Sequence, residues 1–172
     1  MFSGGSIAEQ HYQPSFALNH LDHKSHVVDA LEAADVEYDF YREEDEDCST
    51  EVRPTEHGTV LGRVLSVLGA PVGPKTAIQN LQLPEYLEDA PREIRETFAL
   101  AYLANRAIHQ REKRTVQILE DRPRSYRDEL AAFLEDVSGE RATSNETYIT
   151  ISSAAAQSLN LQPRYFVPEN DA

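Results

Sequence analysis

Seven cations fall within one short window, Arg106, Arg111, Lys113, Arg114, Arg122, Arg124 and Arg127, against only Glu112, Glu120 and Asp121. The window carries a local balance of +4 in a chain whose formal charge is −14. A basic patch of this kind is chemistry for meeting a polyanion, although arginine-rich stretches are also common solvated faces. Three histidines, His20, His23 and His26, repeat at three-residue spacing and invite a metal site. His20 falls on a predicted strand and the other two at a predicted helix start, with no cysteine or tight carboxylate cluster beside them, so no metal site is expected. The single cysteine, Cys48, lies in the acidic run Glu43 to Glu51. It rules out an internal disulfide framework and supplies no metal spacing; the run itself reads as an exposed loop.

Thirty acidic residues face 16 basic ones among 172, and only Lys24, Lys75 and Lys113 are lysines. Abundant carboxylates, arginine favoured over lysine and the absence of tryptophan point to an archaeal-type acidic protein of a cytoplasm at very high salt. There the Debye length falls to about 3 Å at 1 M salt, so a charge of −14 does not bar phosphate. In ordinary salt it would argue against nucleic acid. No apolar run approaches membrane-spanning length, and Met1 to Gly5 has neither the basic start nor the apolar stretch of a secretion signal. A soluble cytoplasmic protein is therefore expected. The length suits one sizeable domain or two packed halves.

The element that has to position the basic window is the stretch before it, Pro91 to Ala107. Asp89 and Pro91 mark a helix start, and Arg92, Glu93, Arg95 and Glu96 make a charged first turn. Thr97 to Asn105 carries no charge, and a helix apolar all round must be buried on more than one side. Ala101, Ala104 and Ala107 would admit a close neighbour. Ile108 to Arg122 then predicts a hairpin turning near Glu112 and Lys113, with Val116 and Ile118 on one face and Thr115, Gln117 and Leu119 on the other. Ser125 to Val137 reads as a helix with Tyr126, Leu130, Phe133, Leu134 and Val137 inward and Gly139 after it. Arg141 to Ser144 and Tyr148 to Ile151 read as a strand pair, Ser153 to Leu159 as a short helix, and the tail from Gln162 as loosely held.

The same order occurs earlier. Residues 5 to 20 predict a hairpin, with Ile7 to His11 as its first strand, a turn at Gln13 and Pro14, and Phe16 and Leu18 alternating with Ser15 and Ala17. His23 to Asp35 reads as a helix capped by Asp22, and Val36 to Tyr41 and Glu51 to Pro54 as strands. Thr59 to Leu68 reads as a helix whose Val60, Leu61, Val64, Leu65 and Leu68 form a core stripe, stopped by Gly69. Hairpin, helix, hairpin and helix thus recur at 5 to 68 and 108 to 159, an internal duplication. Lys24-Ser25-His26 and Arg124-Ser125-Tyr126 open equivalent helices one hundred positions apart. The division expected is a first half at 1–70, a linker at 71–90 that exposes Lys75, a second half at 91–160 and a tail at 161–172.

Order and residues together resemble the LAGLIDADG, or DOD-type, homing endonucleases, including those nested in inteins. Val64 to Lys75 is similar to the link between that family's halves, and Leu83-Pro84-Glu85-Tyr86-Leu87 to the segment before the second signature helix. Phe98 to Ala107 stands where the second signature belongs, and Ser3-Gly4-Gly5-Ser6-Ile7 looks like the end of the first with its helix cut away. The resemblance implies an α+β fold of two pseudo-symmetric halves, each αββαββα with the first helix of the first half truncated. Their strands would form a saddle-shaped antiparallel sheet, backed by helices, that straddles double-stranded DNA.

In that family an acidic residue near the end of each signature helix binds the divalent ion that activates water, because Mg²⁺ demands hard oxygen ligands. The matching positions here are Gly4 and Arg106, so the resemblance implies no catalytic residue, no metal ligand and no cofactor. Mg²⁺ would be needed only if cleavage survived through relocated acids, of which Glu9 and Glu112 are the nearest in sequence. An arginine at position 106 would instead hold a phosphate oxygen. The family's groove contacts imply His109, Arg111, Lys113, Arg114, Thr115 and Gln117 as further DNA contacts, with Gln117 reading a base edge. The expectation is a DNA-binding protein that has lost metal-dependent cleavage, of the kind that regulates transcription. The alternatives are a working or weakly working endonuclease and a protein-interaction module on the same scaffold. The apolar face of Phe98 to Leu103 asks for a partner, which leads to the expectation of a homodimer through the helix at 91–107 or of a start upstream of Met1.

Overall fold

The computed structural model describes residues 2–18, 24–42, 49–75, 78, 80–108 and 114–161. The chain divides into two units, Met1–Ile78 and Gln79–Ala172. The first unit holds β1 (Ser6–Ile7), β2 (Pro14–Leu18), α1 (Lys24–Ala33), β3 (Tyr38–Tyr41), β4 (Thr50–Pro54) and α2 (Gly58–Val67). The second opens with α3 (Tyr86–Asp89) and α4 (Arg92–Arg106) and continues with β5 (Ala107–Ile108), β6 (Val116–Leu119) and α5 (Arg124–Ser138). It ends in β7 (Ala142–Ser144), β8 (Tyr148–Ile151) and α6 (Ser153–Ser158). Each unit has one four-stranded sheet, ordered β1-β2-β4-β3 in the first and β5-β6-β8-β7 in the second. All the strand pairs are antiparallel. The two orders are the same, so the protein is a mixed α+β fold of two like halves.

The likeness extends to single residues. Helices α1 and α5 open at Lys24 and Arg124; the same offset of one hundred relates β2 to β6, and an offset of 99 relates their partners β4 and β8. Phe16, Ala17 and Leu18 pair with Val52, Glu51 and Thr50, as Val116, Gln117 and Ile118 pair with Ile151, Thr150 and Ile149. Since side chains alternate across a sheet, equal register means that the same positions face inward in both halves.

Inward residues build each core. In the first unit Leu18, Val52 and Leu31 of α1 are buried, with Phe16, Val27, Tyr38, Phe40 and Leu61 packed against them. In the second, Val116, Ile118, Ile149 and Ile151 are buried with Tyr126, Leu130 and Leu134 of α5 and Ala99, Tyr102 and Leu103 of α4. Helix α5 stops at Gly139, whose φ of 70° places it in the left-handed region that glycine enters without a Cβ penalty. The segment before α4 is tied down by buried Leu81, Leu83 and Leu87. The Leu83 amide donates to Glu129 Oε1 of α5 at 3.1 Å.

Three expectations change. The uncharged stretch of α4 is not buried all round: Phe98 meets Phe133 edge-on, centroids 5.6 Å apart, and Ala99, Tyr102, Leu103 and Ala104 are buried. Thr97, Leu100 and Ala101 face outward. Second, the apolar stripe of α2 is core only in part: Leu61 packs against the buried cluster and Leu65 is half-buried. Val60, Val64, Val67 and Leu68 are exposed, and the buried positions of the helix are Gly58 and Gly62. A Cβ on Gly62 would stand 1.7 Å from the Tyr12 carbonyl oxygen, so this side of the helix lies directly on backbone, where only glycine fits. Third, the first hairpin turns over Ala8 to Gln13, with the Ala8 amide donating to the Gln13 carbonyl at 3.0 Å. Pro14 then starts β2 opposite Ile7, an end position where a missing N–H is tolerated.

Several expectations lie outside the described residues: the Asp22 cap, His20, His23, Cys48, the turn at Glu112 and Lys113, and the tail from Gln162. Nothing is described of the His26 side chain. No described helix is long and apolar enough to cross a membrane.

Candidate nucleic-acid interface

Strand β6 alternates as its residue types dictate: Val116 and Ile118 are buried, while Gln117 is half-buried and Leu119 exposed on the opposite face. Cross-strand pairing extends that outward face into a row, Ile108 beside Gln117, Gln117 beside Thr150 and Thr150 beside Thr143. Leu119 pairs with Tyr148 next to the row. The Gln117 Nε2 donates to Thr150 Oγ1 at 3.3 Å. None of these residues is acidic, in a chain with 30 carboxylates. The face offers amide, hydroxyl and phenol groups, both donors and acceptors.

Beneath this face the cations behave differently. Glu120 shares the parity of Val116 and Ile118 and is fully buried. It accepts from Tyr102 Oη at 2.5 Å and pairs with Arg122 Nε at 3.3 Å. Arg122 Nη1 donates to both Tyr102 Oη and Tyr126 Oη at 3.0 Å, and its guanidinium lies 5.0 Å from the Tyr126 ring centre. Arg127, also buried, donates to the carbonyl oxygens of Arg122 and Glu120 at 2.6 and 3.4 Å. Burial drives both phenols upward, Tyr102 well above its ordinary range and Tyr126 to about 12 despite the lowering effect of the Arg122 charge. A buried carboxylate is tolerable only when cations and donors surround it, and this one is so surrounded.

The expected contact residues are therefore divided. Gln117 is on the outward side of β6, with Thr115 half-buried and Arg114 exposed just before the strand. Arg106 sits at the end of α4 and is turned onto its own unit: its Nη2 donates to the Leu119 carbonyl at 3.2 Å and lies 3.5 Å from Glu120 Oε1 and 3.9 Å from Asp121 Oδ1. Of the other cations in the window, Arg122 and Arg127 are interior and Arg124 pairs with Asp128 at 3.5 Å. His109, Arg111 and Lys113 lie outside the described residues. Glu120 and Asp121 are the carboxylates that pair with Arg106 among the described residues of its unit; Glu112 lies outside the described residues. Gly4 precedes β1, and no group of three His, Cys, Asp or Glu residues able to hold a metal occurs among the described residues. Sequence reasoning missed Thr143, Tyr148 and Thr150 as members of the outward face, although the Tyr-Ile-Thr-Ile alternation of β8 carried the signal.

The equivalent face of the first sheet is charged. Where the second has Thr150, the first has Glu51, flanked by Ala17 on β2 and Tyr41 on β3. Glu51 accepts from Ser15 Oγ at 2.9 Å, Arg42 Nη1 at 3.1 Å, and Arg53 Nε and Nη2 at 2.9 and 2.5 Å.

No protein-family model matches this chain, and no curated protein does. Solved structures do. The N-terminal LAGLIDADG domain of DUF199/WhiA superposes with a TM-score of 0.56 at 8% identity, over 93% of this chain and 76% of that one. Full-length DUF199/WhiA from Thermatoga maritima superposes with a TM-score of 0.58, also at 8% identity, over 95% of this chain and 53% of that one. This chain thus spans about half the length of that full-length protein. Identity this low speaks for the fold alone, and on that evidence the chain has a LAGLIDADG-like fold.

Proposed function

We propose that this protein binds double-stranded DNA through the outward face of its second sheet and does not cleave it, a role of the kind a transcriptional regulator fills. The observation that carries this reading is the acid-free, hydrogen-bonding row Gln117, Thr150 and Thr143, entered past the exposed Arg114. Gln117 is the side chain suited to an adenine edge and Arg114 to a phosphate. The loss of cleavage is supported at the end of α4. Arg106 brings a positive charge where hard oxygen ligands would be needed, and Glu120 is engaged by Tyr102, Arg106 and Arg122. These residues do not suit Mg²⁺, so no step runs through a metal.

The test is a shift assay on duplex DNA in molar KCl, run beside magnesium-dependent nicking of a plasmid. Retention of duplex without nicking is expected, and Gln117→Ala should weaken binding by about 1–3 kcal/mol at preferred sequences. Failure of the native chain to retain duplex would overturn the reading, and nicking would restore the endonuclease alternative. A second reading, contact with protein, is favoured by the exposed Val60, Val64 and Val67 of α2 and Leu68 just after it. Sedimentation in high salt separates it: concentration-dependent association abolished by Val64→Lys would support it.

A further inference from the structure

The first sheet's outward face carries a cluster that the DNA reading does not use. Three side chains from three places converge on the Glu51 carboxylate: Ser15 from β2, Arg53 from β4 itself, and Arg42 from just beyond β3. Arg53 approaches with both Nε and Nη2 and lies 4.7 Å from the Tyr41 ring centre, which fixes its plane. Arg42 adopts a φ of 62°, in the left-handed region that side chains other than glycine and asparagine rarely enter. In that conformation its Nη1 reaches the carboxylate. The glutamate is mostly covered, at 18% exposure, whereas Arg42 and Arg53 are 53% and 41% exposed. Ala17 on one side adds no bulk to the cluster.

Two guanidinium groups and a hydroxyl directed at one pair of oxygens form a donor set that serves carboxylate and phosphate alike. We infer that Ser15, Arg42 and Arg53 constitute a latent oxyanion site of the phosphate-binding kind, and that Glu51 is its resident anion and keeps it closed. Glu51 thereby excludes a phosphate backbone from the first sheet, while the matching Thr150 leaves the second sheet open; this last consequence rests on the DNA reading, the latent site does not. Burial pushes the Glu51 carboxyl up, but the hydrogen bonds from Arg53 and Ser15 and the charges of Arg53 and Arg42 outweigh it and hold the carboxyl below its ordinary range. The site is therefore shut at neutral pH. Asp39, exposed and opposite Arg53, is a further carboxylate on this face.

Glu51→Gln tests the inference, since it keeps the shape and removes the charge. Titrating the folded variant with inorganic phosphate, followed by NMR of the arginine side chains, should show binding at least about tenfold tighter than in the native chain, the worth of one charged hydrogen bond. Adding Arg53→Ala should erase the gain. Unchanged phosphate affinity in folded Glu51→Gln would overturn the inference. A second variant guards against a failure to fold: Arg53→Ala alone should leave both phosphate and duplex binding as in the native chain, and a loss of either would overturn the closed site. Duplex binding by the native chain is read separately. If it is absent while Glu51→Gln gains phosphate, the DNA reading fails and the latent site stands; if it is present without that gain, the reverse holds.

Discussion

Both units gather arginines around one glutamate, and they do so on opposite sides of their sheets. In the first, Arg42 and Arg53 meet Glu51 on the outward face; in the second, Arg106 and Arg122 meet Glu120 in the interior. The ingredients are alike and the consequences differ, because the strength of an ion pair depends on the water around it. The inner cluster is bound up with the stability of its unit. The outer one decides what the face can touch and adds little to stability. Moving the cations inward also clears the second sheet's outward face for neutral hydrogen-bonding groups.

The largest effect should come from breaking the inner cluster. Arg122→Ala removes the buried cation of Glu120, leaving it only the more distant Arg106 and the Tyr102 hydroxyl, and should cost about 3–5 kcal/mol, read as a fall in the urea midpoint; a loss under 1 kcal/mol would place the two clusters on the same footing. Alkali should act on the same unit. The folded values of Tyr102 and Tyr126 are raised, so the stability they contribute is complete below pH about 10 and is lost as pH rises through about 12, where Tyr126 ionises. Absorbance of tyrosinate followed alongside circular dichroism should show late-ionising phenols appearing together with unfolding. Early ionisation of every tyrosine would mean that the cluster is wet. Next, Gly62→Ala drives a Cβ against the Tyr12 carbonyl and should destabilise the first unit by about 1–3 kcal/mol, measured by thermal unfolding. The smallest effect belongs to the outer cluster: Arg53→Ala should cost less than about 1 kcal/mol, a difference further reduced in molar salt.

Much of this arrangement was legible in the residues. The alternation of Val116 and Ile118 with Gln117 and Leu119 placed β6, Gly139 stopped α5, and the matched openings at Lys24 and Arg124 revealed the duplication. A local charge sum ignores parity, so the basic window does not by itself say which of its cations face outward. Glu120 lies two positions beyond Ile118 and four beyond Val116, on the inward side, and it draws Arg106 and Arg122 with it. Helix α2 misled in part. A hydrophobic stripe marks the buried face only when side chains make the contact, and here Gly58 and Gly62 bring backbone onto the turn before β2. Glu51 is legible as the junction of an acidic run and a strand, but its partners Ser15 and Arg42 are not, since strand pairing and not spacing joins them to it.

The offset of one hundred residues that aligns Phe16, Ala17 and Leu18 with Val116, Gln117 and Ile118 makes the molecule its own control. Any pair of outward positions, Ala17 with Gln117 or Glu51 with Thr150, experiences the same salt, temperature and concentration in one tube. Slow amide exchange at one member of such a pair and fast exchange at the other would report a local difference between the halves, free of every variable that separates two proteins.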